Sequence, residues 1–209
     1  MIGEQTVAGF LGSVASSSPT PGGGSVGAVA GAAGAALMSM VVALSLGRDG
    51  YEEVTGELQG IGTSAEEARV VLLSLADLDS AAFDAVMTAY KLPKGSDEEK
   101  ATRSQAIQTA FLGAAQVPLE VARLGSGLVA VAAQAISIGN PDAASDGLSA
   151  AAMCHAAVMC ALANVEINAA SIKDASIAAN LRAESEALNA RAEEGLASAR
   201  AAFRQKVGA

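Results

Sequence analysis

The sequence predicts an all-α protein, and three observations support this prediction. Hydrophobic residues make up 51% of the 209-residue chain, whereas aromatic residues make up only 3% and Trp is absent. A core of Ala, Val and Leu with so few rings suits closely packed helices better than a β-sandwich. Apolar residues recur at spacings of three, four and seven, and no stretch alternates as a strand does. A chain of this length can bury a sizeable core, so we predict one helical domain over residues 1–209.

Charge and cysteine content narrow the range of functions. The net charge of −9 argues against a nucleic-acid or anionic membrane surface. Cys154 and Cys160 point to different faces of one apolar helix, so we expect no disulfide between them, and reduced thiols are the simplest interpretation. The N-terminus also lacks the basic region of a signal peptide. We therefore expect a cytoplasmic protein that binds neither nucleic acid nor membranes.

Common catalytic and metal-binding motifs are missing from the sequence. One histidine, His155, and two cysteines do not make a set of metal ligands, so we predict no metal. The chain has no Walker loop and no Rossmann fingerprint after a strand. His155 lies in an Ala-rich helix, which argues against a serine triad.

The first elements are a short helix and a loop with unusual backbone chemistry. Apolar residues mark an amphipathic helix over residues 7–14. Pro19 and Pro21 then keep the chain extended, and Gly22 to Gly24 let another group approach the backbone closely. Ser25 is a good N-cap for the next helix, whose free N–H groups would favour an anion. A tight turn into a closely packed helix explains the same residues equally well.

The helix after Ser25 is built almost entirely from small residues. From Gly27 to Ala36 every residue but Val29 is Gly or Ala, so other helices can approach it closely from several sides. We therefore predict that it is the central helix of a bundle. Its charge-free length would also suit a membrane span. Because Gly and Ala are weakly apolar and no aromatic belt flanks it, we favour a buried helix.

Turn residues divide the rest of the chain. Gly60 and Gly62 make the segment from Tyr51 to Leu92 either one long helix or two. Ser96 and Glu99 form a capping box for the helix that follows. The later helices end or begin at Gly139-Asn140-Pro141 and near Ala170, which gives predicted helices over residues 97–138, 142–170 and 172–207, the first with a kink near Pro118.

Asp79 is the carboxylate that the helical pattern singles out. It shares a predicted face with Leu72, Leu75, Phe83 and Val86. An unpaired carboxylate on an apolar face has a raised pKa, which suits an acid or base working near neutral pH. A buried carboxylate that caps another helix or pairs with Lys or Arg would look the same in sequence.

Two further groups of polar residues carry weaker signals. Asp146 and Asn164 share a helix face, but their eighteen-residue separation places them roughly 27 Å apart. Asn140 either binds a ligand or caps a turn, and Asn164 either binds a ligand or ties helices together. Glu120, after Pro118, is either a helper carboxylate or fills the gap that Pro leaves in the helix.

A basic cluster surrounds the turn after Leu92. Lys91, Lys94, Lys100 and Arg103 lie on both sides of this turn in an otherwise acidic chain. Such a cluster is usually solvated, and it is also a candidate seat for an anionic ligand.

Five blocks of the sequence resemble the C-terminal family of formiminotransferase-cyclodeaminase, which includes free-standing bacterial methenyltetrahydrofolate cyclohydrolases. In order they are SSSPTPGGGSVGAVAGAAGAAL, DSAAFDAVMTAYKLPKGSDEEKATRSQAIQTA, VPLEVA, GNPDAASD and NVEIN, which together span roughly residues 5–170. PGGGS alone is a weak signal, but five blocks in the family's order and spacing are a strong one. The sequence departs from the family mainly over residues 48–63 and in the last helix.

The resemblance implies a folate enzyme without a prosthetic group. A cyclohydrolase adds water to the amidinium carbon of 5,10-methenyltetrahydrofolate and gives 10-formyltetrahydrofolate. A cyclodeaminase closes 5-formiminotetrahydrofolate and expels ammonia. A free-standing chain lacks the formiminotransferase that makes the 5-formimino substrate, so the resemblance favours the cyclohydrolase.

Roles for individual residues follow from the same resemblance. Asp79 is expected to carry the proton that both reactions move on and off nitrogen or oxygen. The substrate is expected to bind the glycine loop and residues that orient it, which are Pro21, Gly22, Gly23, Gly24, Ser25, Lys91, Asn140, Asp146 and Asn164. The resemblance also implies a homodimer, and it points to a methylenetetrahydrofolate dehydrogenase as a neighbouring enzyme. The competing interpretation is a non-catalytic helical protein that dimerises through its Ala- and Gly-rich helix.

Overall fold

The computed structural model describes residues 1–208, which form six α-helices, three short 3-10 turns and no strand. The prediction of an all-α protein is therefore confirmed. The helices are α1 (Val7–Val14), α2 (Gly23–Ala43), α3 (Thr55–Tyr90), α4 (Asp97–Ile138), α5 (Ala144–Ala169) and α6 (Ala175–Val207).

The helix α2 lies at the centre of the bundle, as its small residues predict. It packs against α3, α4 and α5. A Cβ atom on Gly34 would stand 2.6 Å from the Cys154 sulfur, and one on Gly27 would stand 2.8 Å from the Cys160 Cβ. The backbone of α2 therefore rests directly on α5, and any larger residue at these two positions would push the helices apart. Cys154 and Cys160 are both free thiols.

Three helical stretches are long and apolar enough to cross a membrane, judged by length and composition alone. They are Gly23–Ala43, Asp97–Ile138 and Pro141–Ala169. All three pack within the bundle, and half of the apolar stretch of α2 is buried there.

The segment after Tyr51 forms one long helix, because α3 runs without a break from Thr55 to Tyr90. Gly62 does not interrupt the helix but lets it approach α2, since a Cβ there would lie 3.0 Å from Val42. The next helix, α4, begins at the predicted capping box, in which Glu99 N–H donates to Ser96 Oγ and Ser96 N–H donates to Glu99, each at 3.1 Å.

The ends of these helices determine where the site can form. Helices α2 through α6 share one large hydrophobic core, and a smaller apolar cluster around Leu119 and Val165 joins α4, α5 and α6. Gly24, at the start of α2, lies against Asp79 in the second half of α3. Gly23 lies 3.8 Å, measured from a built Cβ, from Asn164 near the end of α5. Residues from three distant parts of the sequence therefore meet where α2 begins.

Candidate active site

A cavity of about 400 Å³ opens where α2 begins. One side is the Pro19–Gly24 segment, in which the Thr20–Pro21 peptide is cis. The other walls come from α3, α4 and α5. The lining residues are Pro19, Thr20, Gly22, Gly23, Gly24, Asp79, Ala82, Phe83, Val86, Phe111, Ala114, Asn164, Ile167 and Asn168. Asp79 is the only charged residue among them.

Asp79 faces this cavity from an environment that favours its protonated form. Burial is the main influence and raises the pKa of Asp79 above its usual value of 3.8. Hydrogen bonds from the hydroxyl and the backbone N–H of Ser25 act in the opposite direction and lower it, without cancelling the effect of burial. No Lys, Arg or His among residues 1–208 forms an ion pair with Asp79. Asp79 is therefore a carboxylate with a raised pKa and no balancing cation.

Ser25 lies behind Asp79 and is fully buried. Its Oγ is 2.9 Å from Asp79 Oδ2 and 2.9 Å from the carbonyl oxygen of Ala76, and 3.3 Å from Ser80 Oγ. Ser25 does not line the cavity, and direct contact between Ser25 and a substrate stays a prediction. The N-cap prediction is wrong, because the N-cap of α2 is Gly22, three residues before Ser25. The Ser25 hydroxyl instead forms a hydrogen bond with the Asp79 carboxylate.

Gly24 gives the carboxylate room to reach α2. A Cβ atom at position 24 would overlap both carboxylate oxygens of Asp79. The N-terminal end of α2 therefore meets a carboxylate from another helix, which is the arrangement that the helix dipole favours. The sequence-based expectation was that these N–H groups would bind the ligand directly. The Ser25 N–H lowers the pKa of Asp79, and binding of a ligand by the N–H groups of the loop stays a prediction.

Two asparagines of α5 line the cavity, and their hydrogen bonds differ. Asn168 Nδ2 donates to the carbonyls of Ala114 and Asn164, each at 2.9 Å, and so ties α5 to α4. Asn164 Nδ2 donates only to Cys160 O, within its own helix, at 2.8 Å. Because Asn164 Oδ1 accepts no hydrogen bond from the described residues, it is available to a ligand.

Asn140 and Asp146 do not line this cavity, and their role in orienting a substrate stays a prediction. Asn140 N–H donates to Ser45 Oγ at 2.7 Å, and its side chain accepts from Asp142 N–H at 3.1 Å. Ser45 follows the C-terminal end of α2, which is roughly 30 Å along the helix from the cavity. Asp146 lies in the first turn of α5, at the same far end. Asn140 is therefore a cap, the alternative that its position before Pro141 also suggested.

The remaining candidates lie outside the cavity. Lys91 is exposed at the C-cap of α3 and does not line it. Glu120 forms an ion pair with Arg123 at 3.0 Å on the surface. Lys94, Lys100 and Arg103 line a separate, adjacent cavity. His155 pairs with Glu193 at 2.9 Å, and residues 1–208 contain no cluster of three His, Cys, Asp or Glu that could hold a metal.

Apolar residues that were not among the predicted site residues also line the cavity. Phe83, Phe111 and Ala114 form walls of the cavity. Phe83 lies one helical turn after Asp79, so its place beside the carboxylate could have been read from helical spacing. Phe111 and Ala114 come from α4, and only the packing of α4 against α3 and α5 brings them there.

A family model and known proteins match this chain over most of its length. Residues 6–187 match the model described as formiminotransferase-cyclodeaminase. A methenyltetrahydrofolate cyclohydrolase of Methylorubrum extorquens is 41% identical over 178 residues, which is 85% of this chain and 86% of that protein. The formimidoyltransferase-cyclodeaminase of mouse is 35% identical over 171 residues, and the match spans 32% of that longer protein.

A solved structure shares the fold. The crystal structure of a formiminotetrahydrofolate cyclodeaminase from Thermotoga maritima superposes with a TM-score of 0.89 and 35% sequence identity, over 99% of this chain and 100% of that one. Its similarity extends through the last helix, beyond the residues that the family model matches. The chain belongs to the formiminotransferase-cyclodeaminase family.

Proposed function

We propose that this protein hydrolyses 5,10-methenyltetrahydrofolate to 10-formyltetrahydrofolate, with Asp79 as the proton carrier. The observation that supports the chemistry is a lone carboxylate of raised pKa in a cavity without other charged groups. The relative that supports the substrate is the M. extorquens cyclohydrolase, which matches over most of both chains.

The charge of the cavity suits the methenyl group. The amidinium of 5,10-methenyltetrahydrofolate is cationic, and Asp79 is the only charged group that lines the cavity. Attraction between opposite charges is stronger in a partly desolvated site than in water. A bound cation would also lower the pKa of Asp79, and so increase the fraction of the carboxylate that can act as a base.

Asp79 can serve both proton transfers of the hydrolysis. Its carboxylate takes a proton from water as the water oxygen bonds to the carbon between N5 and N10. The tetrahedral carbon then carries a hydroxyl group. Asp79 gives its proton to N5, the bond from carbon to N5 breaks, and the hydroxyl loses its proton as the formyl carbonyl forms on N10. One proton is released overall, and no second acid is required.

The neighbours of Asp79 position the substrate. The backbone of Gly22 and Gly23 lies open along one wall, and Asn164 Oδ1 can accept from a donor of the pterin ring. Phe83, Val86 and Phe111 supply apolar surface for the flat rings. A dehydrogenase that oxidises the methylene form to the methenyl form is the neighbouring enzyme we propose as supplier of the substrate.

The second candidate reaction is the cyclodeaminase reaction, and the solved relative favours it. The T. maritima protein, described as a formiminotetrahydrofolate cyclodeaminase, matches this chain from end to end. The same carboxylate could protonate the leaving amine, because that reaction also passes through a tetrahedral carbon between two nitrogens.

An absorbance assay on the purified protein tests the proposal and separates the two reactions. The methenyl form absorbs in the near ultraviolet, whereas 10-formyltetrahydrofolate does not. We expect absorbance to fall with 5,10-methenyltetrahydrofolate as substrate. With 5-formiminotetrahydrofolate, a rise in absorbance with release of ammonia would instead assign the cyclodeaminase reaction. No change with either substrate, compared with the same solutions lacking protein, would contradict both.

A further inference from the structure

A second cavity of about 570 Å³ adjoins the active-site cavity and is strongly basic. Lys94, Lys100, Arg103 and Lys173 line it, and no Asp or Glu does. Phe111 lines both cavities, so the two spaces share one aromatic side chain. In a chain with 22 acidic and 13 basic residues, four cations around one space are an unusual concentration of positive charge.

The structure holds two of these cations in place without neutralising them. The Arg103 guanidinium donates to the Tyr90 carbonyl at 3.0 and 3.2 Å and lies 5.5 Å from the centre of the Tyr90 ring. Lys173 Nζ donates to Ser104 Oγ at 2.9 Å. Among residues 1–208 neither forms an ion pair, whereas Arg69, Arg123 and Arg182 each pair with a carboxylate, as in the Arg182–Glu166 pair at 3.0 Å.

Lys173 also shows how distant segments build this cavity. Its backbone N–H donates to Gln108 Oε1 at 2.7 Å, and Gln108 Nε2 donates to Ser171 O at 3.1 Å. These bonds fix the link between α5 and α6 against α4. Lys173 is thereby held in the same cavity as Arg103, although seventy residues separate them in sequence.

The active-site cavity lacks what the basic cavity provides. A folate carries a cationic methenyl group at one end and a glutamyl group with two carboxylates at the other, with a benzoyl ring between them. No Lys or Arg lines the active-site cavity, so the carboxylates would have no partner there. The basic cavity has four cations, and it shares with the active-site cavity the Phe111 ring, against which a benzoyl ring can pack.

We propose that the basic cavity binds the glutamyl carboxylates of the folate substrate, with Arg103 and Lys173 as fixed partners and Lys94 and Lys100 as additional cations. The proposal rests on the proposed function and assigns the other end of the substrate. The parallel N–H groups of an Arg guanidinium can donate to both oxygens of a carboxylate. Arg103 and Lys173 are also held in place before the ligand arrives, which lowers the entropic cost of binding. Lys100 can turn from its exposed partner Asp97, 2.8 Å away, because such surface pairs contribute little.

The test compares two substrates on three proteins. One substrate is 5,10-methenyltetrahydrofolate and the other is the corresponding methenyltetrahydropteroate, which lacks the glutamyl group. The first variant is the double substitution Lys100→Gln/Lys173→Gln, which keeps the hydrogen bonds from Arg103 to the Tyr90 carbonyl at the end of α3. The control is Arg191→Gln, because Arg191 is an exposed residue of α6 outside both cavities. For the double variant we expect KM for the folate to rise about tenfold with kcat unchanged.

The truncated substrate distinguishes a lost carboxylate contact from general damage. KM for the pteroate should be high in wild type and the same in the double variant, and Arg191→Gln should behave as wild type with both substrates. Equal changes in KM with both substrates, or no change with either, would show that the basic cavity does not bind the glutamyl group. The proposed hydrolysis would not be affected by that result. If wild-type protein turned over neither substrate, that result would contradict the proposed function and, with it, the binding of a glutamyl group in the basic cavity.

A second variant checks the geometry of Arg103. Arg103→Lys keeps the positive charge but loses the paired N–H donors of the guanidinium, so KM for the folate should rise while KM for the pteroate stays unchanged. The unfolding midpoint of this variant shows whether losing the bonds to Tyr90 O has disturbed α3. If KM rose for both substrates while the unfolding midpoint stayed unchanged, Arg103 would not be a partner of the glutamyl carboxylates.

Discussion

Ser25 Oγ lies 2.9 Å from both Asp79 Oδ2 and the Ala76 carbonyl, although the hydroxyl has only one hydrogen to donate. When Asp79 is ionised, Ser25 can donate to the carboxylate. When Asp79 is protonated, the carboxyl can donate to Ser25 Oγ, and the serine hydrogen can turn to Ala76 O. The hydroxyl can therefore pair with Asp79 in both protonation states, which a proton carrier needs during one turnover.

Removing this hydroxyl should shift the pH dependence of the reaction. The Ser25 hydroxyl lowers the pKa of Asp79, so Ser25→Ala should raise it further. Since the carboxylate form is the base, the acid limb of kcat against pH should move to higher pH. Ser39→Ala is the matched control, because Ser39 lies on the same helix and its buried Oγ has no hydrogen-bond partner among the described residues. An unmoved acid limb in Ser25→Ala would remove Ser25 from this role.

A methyl group at position 24 should disturb the carboxylate directly. In Gly24→Ala the new Cβ would overlap the Asp79 oxygens, so the carboxylate must move and kcat should fall at least tenfold. The control is Gly60→Ala in α3, where a Cβ meets nothing within 4 Å. That change should leave kcat unchanged and stabilise the protein by about 0.5–1 kcal/mol. Full activity in Gly24→Ala would show that the close approach has no catalytic consequence.

The two asparagines of α5 should respond differently to the same substitution. Asn168→Ala breaks the bond from α5 to Ala114 O and should lower the free energy of unfolding by about 1 kcal/mol or more. Asn164→Ala breaks only a bond within α5, so it should raise KM and change stability less. Chemical denaturation and steady-state kinetics on both variants provide the comparison. The reverse pattern would make Asn164 the structural residue.

We expect the protein to be a homodimer, with the exposed apolar side of α3 in the interface. Leu78 is 49% exposed and Val71 is 42% exposed, and they lie about two helical turns apart along this side. Leu78→Glu should therefore shift the dimer toward monomer in sedimentation equilibrium at micromolar concentration. A wild-type monomer at that concentration would contradict the dimer, and a dimer that Leu78→Glu does not weaken would place the interface elsewhere.

Much of the fold could be predicted from local patterns. The capping box at Ser96, the stop at Gly139 and the small residues of α2 act through neighbouring residues or one helix face, so the sequence displays them. The apolar face around Asp79 likewise predicted a partly buried carboxylate. Gly60 and Gly62 were ambiguous, because packing of α3 against α2 decides whether glycines interrupt a helix.

The parts of the site that were not predicted depend on tertiary packing. Periodicity shows which residues share a face of α5, but it does not show which end of the helix meets the glycine loop. Asp146 and Asn164 were therefore equal candidates, and only Asn164 lies at the cavity. Lys173 joins Arg103 through the link between α5 and α6, for which the sequence carries no local signal.

Stability measurements separate Asp79 from an ordinary buried ion pair. Its folded pKa is raised, so the folded state loses stability as pH rises from the ordinary aspartate pKa through the raised value. Asp79→Asn cannot ionise and escapes this loss. We expect its unfolding midpoint to be at least as high as that of wild type at neutral pH, with a smaller difference at acid pH. A lower midpoint at neutral pH would indicate a stabilising partner for the carboxylate.

Turnover of 5,10-methenyltetrahydrofolate by Asp79→Asn, measured at saturating substrate, tests the proton carrier most directly. Asn keeps the shape of Asp but cannot take a proton from water or pass one to N5. Because general acid–base catalysis contributes about a hundred- to ten-thousand-fold, kcat should fall within that range while the unfolding midpoint does not fall. A variant that retained wild-type kcat would contradict the assignment of Asp79 as the proton carrier.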